Sequence, residues 1–139
     1  MREAIFRGRR IDNSEWICGS LIIFWDKIFI APQSTNAFYK FEVFPDTVGQ
    51  YTGRLDKFGE MVYEGDILQT YIYGPDDFVD MGETCVVLFD VHDQAYVLCN
   101  SNDVHDRYDD FGNLGDPKYY QVIGNIYDNP ELLKGETNE

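Results

Sequence analysis

The stretch from Gln50 to Leu68 constrains the fold more than any other part of the chain. It packs two tight-turn signals between short apolar and aromatic runs. Asp56 opens the first turn and Gly59 closes it, the pattern of a type I turn continued by a residue of positive φ. Gly65-Asp66 then bends the chain ahead of Ile67-Leu68. Strand, turn, strand, turn and the start of a third strand follow at a spacing that leaves no room for helix. No segment carries helical periodicity beyond a turn or two.

The flanking sequence reads the same way. Residues 4–11 predict a strand with Arg7 and Arg9 on one face and Phe6 on the other. Glu15 to Phe24 and Ile28 to Ala31 predict a hairpin across Asp26-Lys27. Phe38 to Phe44 alternates, with Lys40 and Glu42 facing away from Tyr39, Phe41 and Val43, as in a half-buried strand. Pro45-Asp46 ends it. Ile67 to Tyr73 predicts a strand, and Gly74 to Gly82 a long polar loop. Thr84–Phe89 and Ala95–Cys99 predict a second hairpin. A turn centred on His92 would place Cys85 opposite Cys99. Residues 100–117, rich in Asp, predict a loop. Tyr119 to Ile123 predicts a last strand, and Asn129-Pro130 a short helical turn with Asn129 as its cap.

About nine short strands separated by turns predict an all-β chain. Closing the later ones into a small barrel would remove exposed edges. The expected division is an N-terminal β-hairpin region, 1–46, a barrel, 47–134, and a tail, 135–139.

Charge narrows the function. The net charge is −14, and it is unevenly distributed. Eight Lys and Arg balance eight Asp and Glu over residues 1–60, whereas three basic residues face seventeen acidic ones over 61–139. Nucleic-acid binding draws on Lys and Arg that neutralise phosphates, so neither nucleic acid nor an anionic membrane is an expected partner. Cys18, Cys85 and Cys99 are odd in number and lack CxxC spacing, which argues for a reducing cytoplasm. Met1 to Arg7 has no long apolar run, so no signal peptide is expected.

Three blocks together carry a family resemblance: Met1-Arg2-Glu3-x-x-Phe6-Arg7, then Gln50 to Leu68, then Val122-Ile123-Gly124-Asn125-Ile126-Tyr127-x-Asn129-Pro130-Glu131-Leu132-Leu133. In this order they resemble the YopX family of phage and prophage proteins. Arg54, where the family usually has Leu, and Phe58, where it usually has Asn, are departures. The resemblance implies an all-β fold whose C-terminal part is an SH3-like β-barrel. It also implies a phage or bacterial source and a cytoplasmic location in the host cell. It transfers no activity and no functional residue.

The chemistry-bearing residues give no assembled centre. His92 stands beside Asp90 and Asp93, and His105 beside Asp103 and Asp106, but neither set has the spacing of a zinc site. The Asp-rich loop lacks the calcium-loop pattern. Cys99 with His92 or His105 would be the one thiol–base pair, yet strand-end cysteines beside apolar residues are usually inert. Tyr51, Tyr63, Tyr71, Tyr73, Tyr119 and Tyr120 are candidates for a stacking platform without a basic groove. No catalytic, cofactor or metal residue is therefore assigned, and no partner-binding residue either. The leading expectation is a non-enzymatic accessory protein that self-associates. Its motive is the aromatic content, 16% of residues, with Arg2, Arg7, Arg9 and Arg10 available to an acidic half of another copy. One alternative is an acidic decoy, through Asp76, Asp77, Asp80 and Glu83, for a basic host or phage protein. The other is an unrecognised enzyme.

Overall fold

The computed structural model describes residues 4–32, 39–108 and 115–133. The expected loop at 33–36, Phe38, Arg2, Asp109, Asp110 and the tail at 135–139 lie outside them. The chain is all-β, in open antiparallel sheets, and divides into two compact units, Met1–Gly53 and Arg54–Glu139. No helix among the described residues is long and apolar enough to cross a membrane.

In the first unit, β1 (Phe6–Arg9), β2 (Trp16–Phe24), β3 (Lys27–Ala31), β4 (Phe41–Glu42) and β5 (Gly49–Leu55) hydrogen-bond in the order β4-β3-β2-β1-β5. Strand β5 runs on past Gly53. The β2–β3 hairpin forms because both arms are β-branched and aromatic. It turns in two residues, Trp25-Asp26, between paired Phe24 and Lys27. Gly19 permits the pairing at the open end of the β2–β3 hairpin, where a Cβ would fall on the carbonyl of Ala31. The strand expected over 38–44 shortens to β4. Past Glu42 the chain changes neighbours: Val43 bridges to Arg10 while its amide donates to the Ile28 carbonyl at 3.0 Å. That leaves Val43 fully enclosed beside Ile30 and Gly8. Arg7 and Arg9 share a face, as expected. Both guanidinium groups lie over the Trp16 ring, at 5.0 and 5.1 Å. Arg10 pairs with Asp12 at 2.7 Å.

In the second unit, β7 (Asp66–Tyr73), β8 (Val79–Asp90), β9 (Ala95–Cys99) and β10 (Tyr120–Asn125) form a four-stranded sheet in the order β10-β7-β8-β9. Consecutive residues such as Ile67-Leu68, Val86-Val87 and Val97-Leu98 are all buried. Both sheet faces are therefore covered, which is why these strands read as continuous apolar runs. On one face Leu68, Cys85, Val87, Leu98 and Tyr120 pack with Val62 of β6 (Met61–Tyr63). On the other, Ile67, Val86, Val97 and Cys99 pack with Leu133, behind the 3-10 turn Pro130–Leu132. The ladder ends at β10 and β9, which do not pair, so the sheet does not close into a barrel.

The Asp56–Gly59 turn ties this unit together. Gly59 takes φ 84° and donates to the Asp56 carbonyl at 3.0 Å. The Asp56 carboxylate is buried, at 3% exposure. Its Oδ1 accepts the amides of Phe58 and Glu60, each at 2.9 Å, and its Oδ2 accepts that of Val122 at 2.8 Å. A local turn is thereby bonded to strand β10.

Three further sequence expectations change. The 74–82 loop is a tight turn, because Phe78 donates to Pro75 at 3.1 Å and Gly74 to Phe78 at 2.7 Å, and β8 begins at Val79. The β8–β9 register pairs Val86, not Cys85, with Cys99. The cause is Asp90, whose Oδ1 accepts the amides of His92, at 2.9 Å, and Asp93, at 3.4 Å. It organises a four-residue loop between paired Asp90 and Ala95, with Gln94 at φ 53°. A one-residue shift sends side chains to the opposite face, so Cys85 and Cys99 lie in different core clusters. Asn129 precedes the Pro130 turn but makes no side-chain cap bond to it. Its Oδ1 instead accepts the Asn125 amide at 3.2 Å.

Candidate interaction site

The second unit holds a pocket of about 240 Å³. It opens where the β7–β8 ladder slips. The register shifts between Gln69 and Tyr71, and side chains satisfy the carbonyls that the slip releases. Gln69 Nε2 donates to Gly82 at 2.8 Å, and Thr70 Oγ1 donates to Glu83 at 2.7 Å. Such irregularities re-aim side chains. Here they leave Thr70, Tyr71, Leu98, Tyr108, Tyr119 and Tyr120 around one cavity. Tyr71 donates to Gln121 Oε1 at 2.8 Å, and Tyr120 to the Gly115 carbonyl at 3.3 Å. Burial pushes the Tyr120 phenol up, so it stays protonated.

Two lysines rest on tyrosines of this cluster. Lys57 Nζ lies 4.0 Å from the Tyr71 ring centre and 3.5 Å from the Tyr73 hydroxyl. Lys118 Nζ lies 5.0 Å from the Tyr119 ring and 5.4 Å from that of Tyr73. Tyr73 and Tyr119 meet edge to face at 5.6 Å. Over residues 54–139 there are five Lys and Arg against nineteen Asp and Glu. Two of those five cations lie on one tyrosine cluster, so the rings of Tyr71 and Tyr119 carry cations in a unit of net negative charge. Cation–π contact accounts for where the ammonium groups rest. Of the six tyrosines expected as a platform, Tyr71, Tyr119 and Tyr120 line the pocket and Tyr73 adjoins it. Tyr63 is buried at the end of β6, and Tyr51 lies in the first unit. The two lysines escape a sequence reading because they are far apart along the chain.

The first unit presents a second feature. At the tip of the β2–β3 hairpin, Ile23 is 68% exposed, Phe24 59% and Trp25 85%. Phe24 and Trp25 touch edge to face at 6.0 Å. Trp25 takes φ 60°, a left-handed conformation that bulky residues rarely adopt. The first position of a two-residue hairpin turn requires such a φ, so the turn itself sets this angle and leaves the indole at the tip.

The residues weighed for chemistry are engaged elsewhere. Arg107 spans the two carboxylates beside His92: it pairs with Asp90, and with Asp93 at 3.2 Å. Burial alone would raise the Asp90 carboxyl. The amides of His92 and Asp93, with the Arg107 guanidinium, outweigh it and hold that carboxyl below the usual range. Asp106 accepts from Ser101 at 2.8 Å, and Asp103 accepts the His105 amide at 2.9 Å. These bonds shape residues 100–108 into a folded turn. Among the described residues no three potential ligands group as a metal site would. Cys99 is buried, donates to the Val104 carbonyl at 3.7 Å, and is pushed up to about 11 by burial. A thiol so protonated is a poor nucleophile at neutral pH.

A family profile described as YopX protein matches residues 15–134, most of the chain. The chain belongs to the YopX family. The match takes in the Gln50–Leu68 and Val122–Leu133 blocks, while the Met1–Arg7 block precedes it. The crystal structure of protein EF1440 from Enterococcus faecalis resembles this YopX chain in fold. Its TM-score is 0.54 and its identity 22%, over 96% of this chain and 100% of that one. No curated protein matches the sequence.

Proposed function

We propose that this YopX chain is a non-enzymatic phage or prophage accessory protein that acts through protein–protein contacts, self-association first, in the bacterial cytoplasm. Its later half is related, on this reading, to the SH3-like class, with the sheet left open between β9 and β10. The observation that carries the reading is the β2–β3 tip, where three large apolar side chains face solvent around a Trp at positive φ. Trp is the residue type most enriched in binding hot spots. Exposed aromatic anchors suit a protein partner better than a phosphate backbone. Arg7, Arg9 and Arg10, the cations first expected to dock on another copy, lie over Trp16 or pair with Asp12. The aromatic tip therefore takes their place as the contact that leads assembly. Multi-angle light scattering across protein and salt concentrations tests the reading. Mass that rises with concentration supports it, and a monomer under every condition removes it.

A second reading draws on Asp76, Asp77, Asp80 and Glu83, all exposed along the Gly74–Phe78 turn and the start of β8. That acidic tip suits a decoy for the nucleic-acid groove of another protein. Capture from bacterial lysate that recovers no nucleic-acid-binding protein eliminates it.

A further inference from the structure

We propose that the hairpin tip of one copy seats in the tyrosine pocket of a second copy, Trp25 between the phenol rings and Asp26 against Lys57 and Lys118. The inference rests on the self-association reading and names the surfaces that carry it.

Size comes first. A cavity of about 150 Å³ is enough to hold benzene. The pocket, at about 240 Å³, suits a bicyclic indole. It is smaller than the roughly 300–1,000 Å³ of sites that enclose drug-sized ligands, so a side chain fits it better than a cofactor. Chemistry agrees with size. An indole offers a donor and no acceptor. The lining supplies oxygens at Thr70, Tyr108 and Tyr120, together with the aromatic faces of Tyr71 and Tyr119. Edge-to-face contacts among such rings add to the burial of area.

Charge chooses the occupant. Lys57 and Lys118 rest on Tyr71 and Tyr119, two of the lining rings, within a unit of net negative charge, so the site favours an aromatic group followed by a carboxylate. The hairpin tip is such a group: Asp26 directly follows Trp25 at the turn. The two-residue turn that sets Trp25 at φ 60° also leaves its indole 85% exposed at the tip, free to enter a partner. The contact joins different surfaces of the two copies. Two of them related by a two-fold axis close a dimer, and an unclosed series extends.

Sedimentation velocity on the full chain, with far-ultraviolet dichroism to confirm folding, tests this with Trp25→Gly, Asp26→Lys, Lys118→Glu and the double variant Asp26→Lys/Lys118→Glu. Gly adopts the positive φ of this turn position without a Cβ clash, so the Trp25→Gly monomer stays folded, while association weakens by about tenfold or more. Each single charge reversal weakens association several-fold, and the double variant restores it. Trp25→Gly that associates like wild type, or a double variant no better than either single, overturns the proposal and leaves self-association standing. A wild-type chain that sediments only as a monomer overturns both.

Discussion

Replacing Asp56 by Ala is the most direct probe of how the second unit is held together. The carboxylate accepts three backbone amides, from Phe58, Glu60 and Val122, at 2.8–2.9 Å. A hydrogen bond to a charged group contributes about 1.5–3 kcal/mol, and an orphaned buried donor costs about 1–3 kcal/mol. Phe58 and Glu60 are exposed, so water recovers part of the loss at their amides and roughly 1 kcal/mol remains at each. The Val122 amide lies in β10, half-buried, and loses about 2 kcal/mol. Asp56→Ala should therefore destabilise by about 3–5 kcal/mol, against a typical domain stability of about 5–15 kcal/mol. Asp56→Asn keeps Oδ1 as an acceptor and turns an amide donor toward Val122, so about 2 kcal/mol is expected. Urea unfolding followed by far-ultraviolet dichroism measures both. An Ala variant within about 1 kcal/mol of wild type would refute the reasoning, because the turn would then hold without its carboxylate.

Gly19→Ala should destabilise by about 2 kcal/mol or more, because the new Cβ would fall on the Ala31 carbonyl and separate β2 from β3; thermal melting measures it, and an unchanged melt contradicts it. Thiol labelling of native protein should modify Cys18 quickly and leave Cys85 and Cys99 protected until unfolding, with no Cys85–Cys99 bridge after mild oxidation, since the two lie in separate clusters. The raised Cys99 value means the native thiol keeps its proton more tightly than the unfolded one. Its contribution to stability is therefore complete below pH 9 and lost as pH rises from about 9 toward 11. Alkaline melts of Cys99→Ser, compared with wild type, should show a shallower decline over that range.

What the sequence discloses and what it hides divide along physical lines. The Asp56–Gly59 turn was legible because an Asp and a Gly at that spacing have few other uses, and the strands were legible from their aromatic and β-branched runs. The β8–β9 register was not. It depends on whether Asp90 caps a loop of odd or even length, and composition does not settle that. The long loop expected after Gly74 was misjudged because polar residues continue into β8, whose Val79–Glu83 end is mostly exposed. In the candidate site, the tyrosines were visible as a list. Their convergence with Lys57 and Lys118 comes from a ladder irregularity at Gln69–Tyr71 that no local pattern announces. Trp25 stood in plain view, but its exposure and its place at a two-residue turn are visible only in the structure.

The claim that copies of this chain meet through the hairpin tip is tested most directly by fluorine NMR of protein labelled with 5-fluorotryptophan. There are two tryptophans, and Trp16, beneath Arg7 and Arg9, serves as the internal control. The account predicts that the Trp25 resonance, assigned with Trp25→Gly, shifts or broadens as protein concentration rises while the Trp16 resonance stays in place. A Trp25 resonance that keeps its position and width from dilute to concentrated protein would contradict it.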